Sequence, residues 1–270
     1  MSQSEKPYER WIARYARFGY GAKGIIYGSA GLLALMQALD IDRGATVGSE
    51  GAMKTIAAQP FGQAMLFVLA FSLMGYVVWR FIQATLDPEH SDCAPKDVLR
   101  RISYACSGLA YAGVALSAVK ILMASSEDGG KTPQSYAFSI MLQPFGRWVV
   151  GTCGLLVVGI GGYYFYRSIK AEFRKRLKRD NMSDIAKTWA TLAGRVGIAA
   201  RGCVYAVIGS YAMRAAWSFD PSMIKTTEDA LAVFDDNPTD EWILATLGIG
   251  FIAYGVHMGF QACYRSIDPL

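Results

Sequence analysis

The chain has 270 residues, 53% hydrophobic and 18% charged, with 27 lysines and arginines against 22 aspartates and glutamates for a formal net charge of +5. So little charge, gathered in clumps with long apolar stretches between, argues against one or two soluble domains. Five cysteines without a CxxC pair or alternating Cys/His spacing, and two histidines of which His90 lies in a connection, give no ligand set for a metal or a paired-histidine haem, so no cofactor is expected.

The first apolar window, Phe18 to Leu39, follows Lys6, Arg10, Arg14 and Arg17 and is too long for a cleaved signal core, so it should stay in the protein. Five more follow: Phe61 to Gln83, Ile102 to Ala124, Phe145 to Arg167, Val196 to Ser218 and Trp242 to Tyr264. Each is about 22 residues, or ~33 Å of helix, against a bilayer core of ~30 Å. They are apolar nearly all round and lack period-two alternation, which favours helices over a membrane barrel. The expected fold is all-α and polytopic, one membrane domain over 1–270 with six transmembrane helices.

The windows repeat. RFGYGAKGIIYG, RISYACSGLAYA and RVGIAARGCVYA align Arg17 with Arg101 and Arg195, Gly24 with Gly108 and Gly202, and Tyr27 with Tyr111 and Tyr205. AQPFG at Ala58 to Gly62 returns as LQPFG at Leu142 to Gly146, and Pro238 falls in register with Pro60. Three two-helix repeats, about 15–90, 99–172 and 193–268, follow. With an even number of spans, each copy enters the membrane in the same direction, which predicts three parallel hairpins about a pseudo-threefold axis.

The termini and the 80–101 and 167–195 connections carry 18 bases; the other connections carry Arg43, Lys54, Lys131 and Lys225 alone. The positive-inside rule therefore places both termini in the cytoplasm, on the inner side of the plasma membrane. The outer connections place apolar residues at helical spacing before the shared proline: Met53 and Ile56, Ala137 and Ile140, Leu231 and Phe234. They read as short amphipathic helices lying on the outer surface.

Three hairpins opening on Arg-x-Gly-x-x-Ala-[Lys/Arg]-Gly-x-x-Tyr resemble the bacterial membrane proteins of domain-of-unknown-function family 1206, from about Tyr15 to Ile267. In the second copy Ser103 and Ser107 replace the motif's first glycine and its internal base. The resemblance implies a six-span protein of three repeats; it implies no activity, substrate or catalytic residue.

Gly24 with Gly28, Gly108 with Ala112, Gly202 with Ala206, and Gly255 with Gly259 are small-xxx-small pairs that let helix backbones approach in lipid. Arg201 and Lys23 lie inside their windows; set near the cytoplasmic end, they are expected to snorkel to the headgroups. Lys23 and Tyr27, Ser107 and Tyr111, and Arg201 and Tyr205 are i, i+4 pairs on one face. They either line a polar vestibule or lipid-headgroup site, or serve as interface anchors and interhelix hydrogen bonders; the glycine faces, not the tyrosines, are expected to meet on the axis. His257 is an intramembrane ionisable group without an acid or base beside it, suited to hydrogen bonding between helices.

RKRLKR, with Arg174, Lys175, Arg176, Lys178 and Arg179, suits anionic lipid headgroups or a cytoplasmic protein partner; without aromatic interleaving it does not suit nucleic acid. No Gly-x-Ser-x-Gly, His-Glu-x-x-His, phosphate loop or paired intramembrane carboxylate occurs. A non-enzymatic membrane scaffold or accessory protein is therefore expected, with a transporter or channel for a small solute or anion as the alternative.

Overall fold

A computed structural model describes residues 7–41, 49–85, 95–123, 133–171, 173, 174, 177, 182–233 and 241–265. Its helices are α1 (Pro7–Ala38), α2 (Ser49–Ala57), α3 (Gly62–Thr85), α4 (Pro95–Leu122), α5 (Pro133–Met141), α6 (Gly146–Lys170), α7 (Asp184–Ser218), α8 (Thr227–Ala232) and α9 (Glu241–Tyr264). Among the described residues no strand forms beyond an isolated bridge between Leu177 and Arg265. Among the described residues four helices, α3, α6, α7 and α9, are long and apolar enough to cross a membrane. In α4 the stretch Ser107–Leu122 is apolar as well.

The first helices begin earlier than the apolar windows. α7 starts at Asp184 rather than Val196, because the Ser183 hydroxyl accepts from the Ala186 amide as an N-cap and Asp184 sits in the first turn, where the helix dipole favours an anion. Pro7 and Pro95 open α1 and α4, where a missing N–H costs nothing. The windows start late because hydropathy stops at a charge, whereas a helix stops at a cap. As a result Arg201 lies seventeen residues from each end of α7 (184 to 201, 201 to 218). Lys23 is sixteen residues after Pro7 and fifteen before Ala38.

The long helices pack in a recurring way. α3 lies on α4 and α6 on α7, so the second helix of one repeat meets the first helix of the next; α9, last in the chain, lies on α1. Within repeats, α1 packs on α3 and α7 on α9. Among the described residues α4 and α6 form no comparable pair, leaving the middle hairpin open.

Two interfaces share one glycine pattern. A Cβ on Gly24 would come 3.0 Å from the Gly255 carbonyl oxygen, and one on Gly31 2.5 Å from that of Gly248. In the α6–α7 interface Gly202 faces the Gly161 carbonyl oxygen at 3.0 Å and Gly209 that of Gly154 at 2.6 Å. Gly28 lends its backbone to the first contact, 2.8 Å from a Cβ on Gly255, and the Gly259 amide is 3.5 Å from one on Gly24. Gly108 faces Arg80 and Phe81 of α3 instead. Gly24, Gly108 and Gly202 therefore pack in three interfaces, each between a different pair of helices, and the expectation that these glycine faces meet at one central seam is corrected.

The three short helices form where the sequence placed them, but sit deeper than expected. Met53 and Ala52 of α2, and Leu231 and Ala230 of α8, are buried to 1% exposure or less and pack into the bundle end, while Lys54 and Thr55 of α2 stay exposed. Their apolar faces fit between helix ends, where burial removes them from water. In α5 it is Met141 beside Ala137 that is buried, while Ile140 is exposed. α2 and α5 end in the repeated Gln-Pro-Phe-Gly turn, with Phe61 and Phe145 at φ 62° and 63°. A Cβ on the following Gly62 or Gly146 would fall 2.0 or 1.7 Å from the Ile56 or Ile140 carbonyl oxygen, so only glycine fits. Phe234 and Pro238 lie outside the described residues.

Candidate functional site

Where helices of all three repeats meet, the structure gathers cations and phenols. Lys23 on α1 is 3% exposed and Arg201 on α7 is 6% exposed. Snorkelling is therefore corrected: both heads are turned into protein, because the longer helices put them mid-helix and local partners replace water.

Those partners are aromatic. Lys23 Nζ donates to the Tyr76 hydroxyl at 3.1 Å and stands 4.3 and 3.9 Å from the ring centres of Tyr76 and Tyr111. Arg201 Nη1 donates to the Tyr254 hydroxyl at 2.6 Å, and Nη2 donates to Tyr205. Its guanidinium carbon lies 4.7 to 5.3 Å from the rings of Tyr254, Tyr27, Tyr205 and Tyr164. Phenol oxygens and ring faces supply negative potential without a full anion. This suits a chain in which 62–85, 146–170, 185–218 and 242–264 contain no Asp or Glu.

The two nodes join. The hydroxyls of Tyr27 and Tyr111, equivalent positions of two repeats, are 3.1 Å apart, and Tyr27 packs edge-on against Tyr254 with centroids 4.8 Å apart. Tyr76 packs edge-on against Tyr111 at 5.0 Å and accepts a second donor, Arg80 Nε, at 2.6 Å. Arg80 Nη1 then reaches Gln83 Oε1 at 2.8 Å. Tyr27, Tyr76, Tyr111 and Tyr254, drawn from all three repeats, thus come together.

Lys23 bonds Tyr76 and Arg201 bonds Tyr254, and both pairs are separated by 53 residues. In the middle repeat the corresponding residues are Ser107 and Ile160, so base and phenol are lost together. Ile160 is exposed, and this is the hairpin whose helices stand apart. The second-helix phenols Tyr76 and Tyr254 were not singled out as partners of the bases from sequence. Their signal was this shared spacing and its joint loss.

His257 occupies a separate ladder on α9. Arg265 Nη1 donates to Gln261 Oε1 at 2.8 Å, so the Gln261 amide nitrogen, 3.2 Å from His257 Nε2, must donate, and Nε2 accepts. Phe173 packs edge-on against the imidazole at 4.7 Å. Gly194 leaves room for it: a Cβ there would stand 2.9 Å from Nδ1. His257 is thus apart from the cation–tyrosine nodes, 6.4 Å ring to ring from Tyr254.

Among the described residues no cluster of metal-ligating side chains occurs. Of the basic run, Arg174 is half-buried; Lys175, Arg176, Lys178 and Arg179 lie outside the described residues. Two clefts stand out, both peripheral. One of about 370 Å³ lies between α5, α6 and the end of α7, lined by Phe145, Arg147, Trp148 and Phe219. The other, about 400 Å³, runs between α1, α3 and α9.

A family profile described as Domain of Unknown Function (DUF1206) matches the chain three times, at residues 18–87, 102–171 and 196–265. The chain is also 29% identical over 265 residues, 98% of its own length and 95% of the relative's, to the uncharacterized protein YxxB of Bacillus subtilis (strain 168). No solved structure matches.

Proposed function

Since the chain belongs to the Domain of Unknown Function (DUF1206) family, whose description supplies no activity, we propose from its geometry that it is a non-enzymatic scaffold or accessory protein of the plasma membrane. In this reading the chain is one membrane domain of six spans, with α1 and α4 joining the four most apolar helices. The three hairpins run parallel about a pseudo-threefold axis and both termini are cytoplasmic. The recurring contact of each first helix with the second helix of the neighbouring repeat supports that symmetry.

One observation carries the scaffold reading. The residues that would line a central solute path are instead bonded to one another, with Lys23, Arg201, Tyr76, Tyr111 and Tyr254 all buried, and Met53 and Leu231 pack into the outer end above them. A filled core suits a protein that holds other proteins in the membrane better than one that passes a solute. The alternative, anion passage, draws on a different fact: two buried bases on helices poor in carboxylates favour a negative ion wherever the bundle opens.

The test is flux from liposomes loaded with chloride, nitrate or phosphate, beside crosslinking in cells. The scaffold reading expects no flux above that of protein-free vesicles and reproducible crosslinks to a membrane or cytoplasmic protein. Anion flux abolished by Tyr205→Phe in a folded protein would replace it with the transport reading.

A further inference from the structure

The cleft between α1, α3 and α9 has the features of a lipid site. Its floor is α1 at Gly21 and Ala22; Val68 and Leu69 of α3 and Ala262 of α9 form its walls. From Arg17 to Ile25 it follows nine residues of α1, about 12 Å of helix, and at about 400 Å³ its volume is within the usual ~300–1,000 Å³ of ligand pockets. The groove exists because Gly21 has no side chain: a Cβ there would meet nothing within 4 Å.

The chemistry of the cleft is lopsided. Ser72 is the hydroxyl in its wall, and that hydroxyl is already bonded to the Val68 carbonyl oxygen at 2.7 Å. The body of an occupant therefore finds hydrocarbon and no free hydroxyl donor, which disfavours an extended peptide, whose row of carbonyl groups would go unsatisfied. One end carries the exposed guanidinium of Arg17, beside Ala262 and Cys263 in the last turn of α9. Helix end and guanidinium together mark headgroup depth.

We propose that this groove binds an anionic phospholipid of the cytoplasmic leaflet, its phosphate paired with Arg17 and an acyl chain lying over Gly21. A planar guanidinium bonds phosphate in bidentate fashion, and one base near an anionic lipid contributes enough to enrich it about fivefold over a zwitterionic one. The proposal rests on reading α1, α3 and α9 as spans.

The experiment uses the full chain with Cys263 as its single cysteine, labelled with a bimane fluorophore and reconstituted in phosphatidylcholine vesicles. Brominated phosphatidylglycerol and brominated phosphatidylcholine are compared as quenchers at equal mole fraction. Quenching by the zwitterionic lipid reports that Cys263 is in the bilayer at all; its absence would sink the membrane reading, whereas the ratio of the two lipids tests the site. The expected ratio favours phosphatidylglycerol about fivefold, falls towards one in Arg17→Gln, and in Gly21→Leu quenching drops for both lipids because the groove is filled. Gly21→Leu should fold normally, as its side chain enters open space, so it stands even if Arg17→Gln is poorly made. Equal quenching by both lipids, a preference that survives both substitutions, or loss of the preference on adding soluble glycerol phosphate would overturn the assignment, the last because Arg17 would then be binding a free phosphate.

Discussion

Arg201 and Tyr254 form a pair that the middle repeat does without, and a double-substitution cycle asks whether they depend on each other. Tyr254→Ile removes the hydroxyl that accepts from Arg201 at 2.6 Å and one of four ring faces around the guanidinium. The lost charge-assisted hydrogen bond is worth about 1.5–3 kcal/mol, and the lost ring face adds about 1–2 kcal/mol in a desolvated setting. Arg201→Ser leaves the phenols of Tyr254 and Tyr205 without their donor, about 1–3 kcal/mol each. The double variant Arg201→Ser, Tyr254→Ile installs the residues of the middle repeat and leaves neither a stranded charge nor a stranded Tyr254 hydroxyl. Its destabilisation should therefore be smaller than the sum of the single costs by roughly 2 kcal/mol, well above the ~0.6 kcal/mol typical of neutral interhelix hydrogen bonds in bilayers. Reversible unfolding in mixed micelles of the four proteins measures this coupling. A value under about 0.5 kcal/mol, the ordinary error of additivity, would mean that Arg201 does not depend on Tyr254, and the buried node would have to be abandoned.

Other consequences follow from the same contacts. Arg201→Lys should cost about 1.5–3 kcal/mol, because one ammonium cannot reproduce a fork that reaches Tyr254 and Tyr205 together; an unchanged melting temperature would restore the snorkelling picture. Tyr27→Phe and Tyr111→Phe should each cost about 0.5–1.5 kcal/mol, and combining them should add little, since both delete one 3.1 Å hydroxyl contact; fully additive losses in the same unfolding assay would count against that bond. Gly31→Val should reduce folded yield on size exclusion by about 1–3 kcal/mol of overpacking, its Cβ lying 2.5 Å from the Gly248 carbonyl oxygen, whereas Gly159→Ala, with nothing within 4 Å, should be neutral or gain about 1 kcal/mol of helix propensity. Asp128→Cys and Asp236→Cys should react with an impermeant thiol reagent in intact cells and Arg176→Cys should not; the reverse pattern would invert the assigned topology.

The order of helices, their all-α class and the threefold internal repeat were legible in the chain itself. Each is a local property: a run of apolar residues of a given length, a spacing that recurs, a proline or capping residue at a boundary. Family membership rests on the same local pattern, since the three profile matches coincide with the three motifs. Gly24 and Gly202 likewise announced close packing, because a missing side chain means the same thing wherever the helix is placed.

What each helix packs against is not a local property, and it required the tertiary structure. The charges that ended the apolar windows hid the true starts of α1 and α7, and with them the mid-helix positions of Lys23 and Arg201. A base near a helix end and a base at its middle look alike in a string of letters; they differ in whether the head can reach water, which only the surrounding helices decide. Gly24, Gly31 and their partners bring α1 and α9 together side by side, so the tyrosine face on α1 is the one turned to the centre. There Tyr27 meets Tyr111 from another repeat and shares Arg201 with a third. Both faces carry residues suited to an interface, and the choice between them was made by packing: the glycines allow the closer approach of two backbones, and the larger space left between three helices is filled by phenols and the bases they hold.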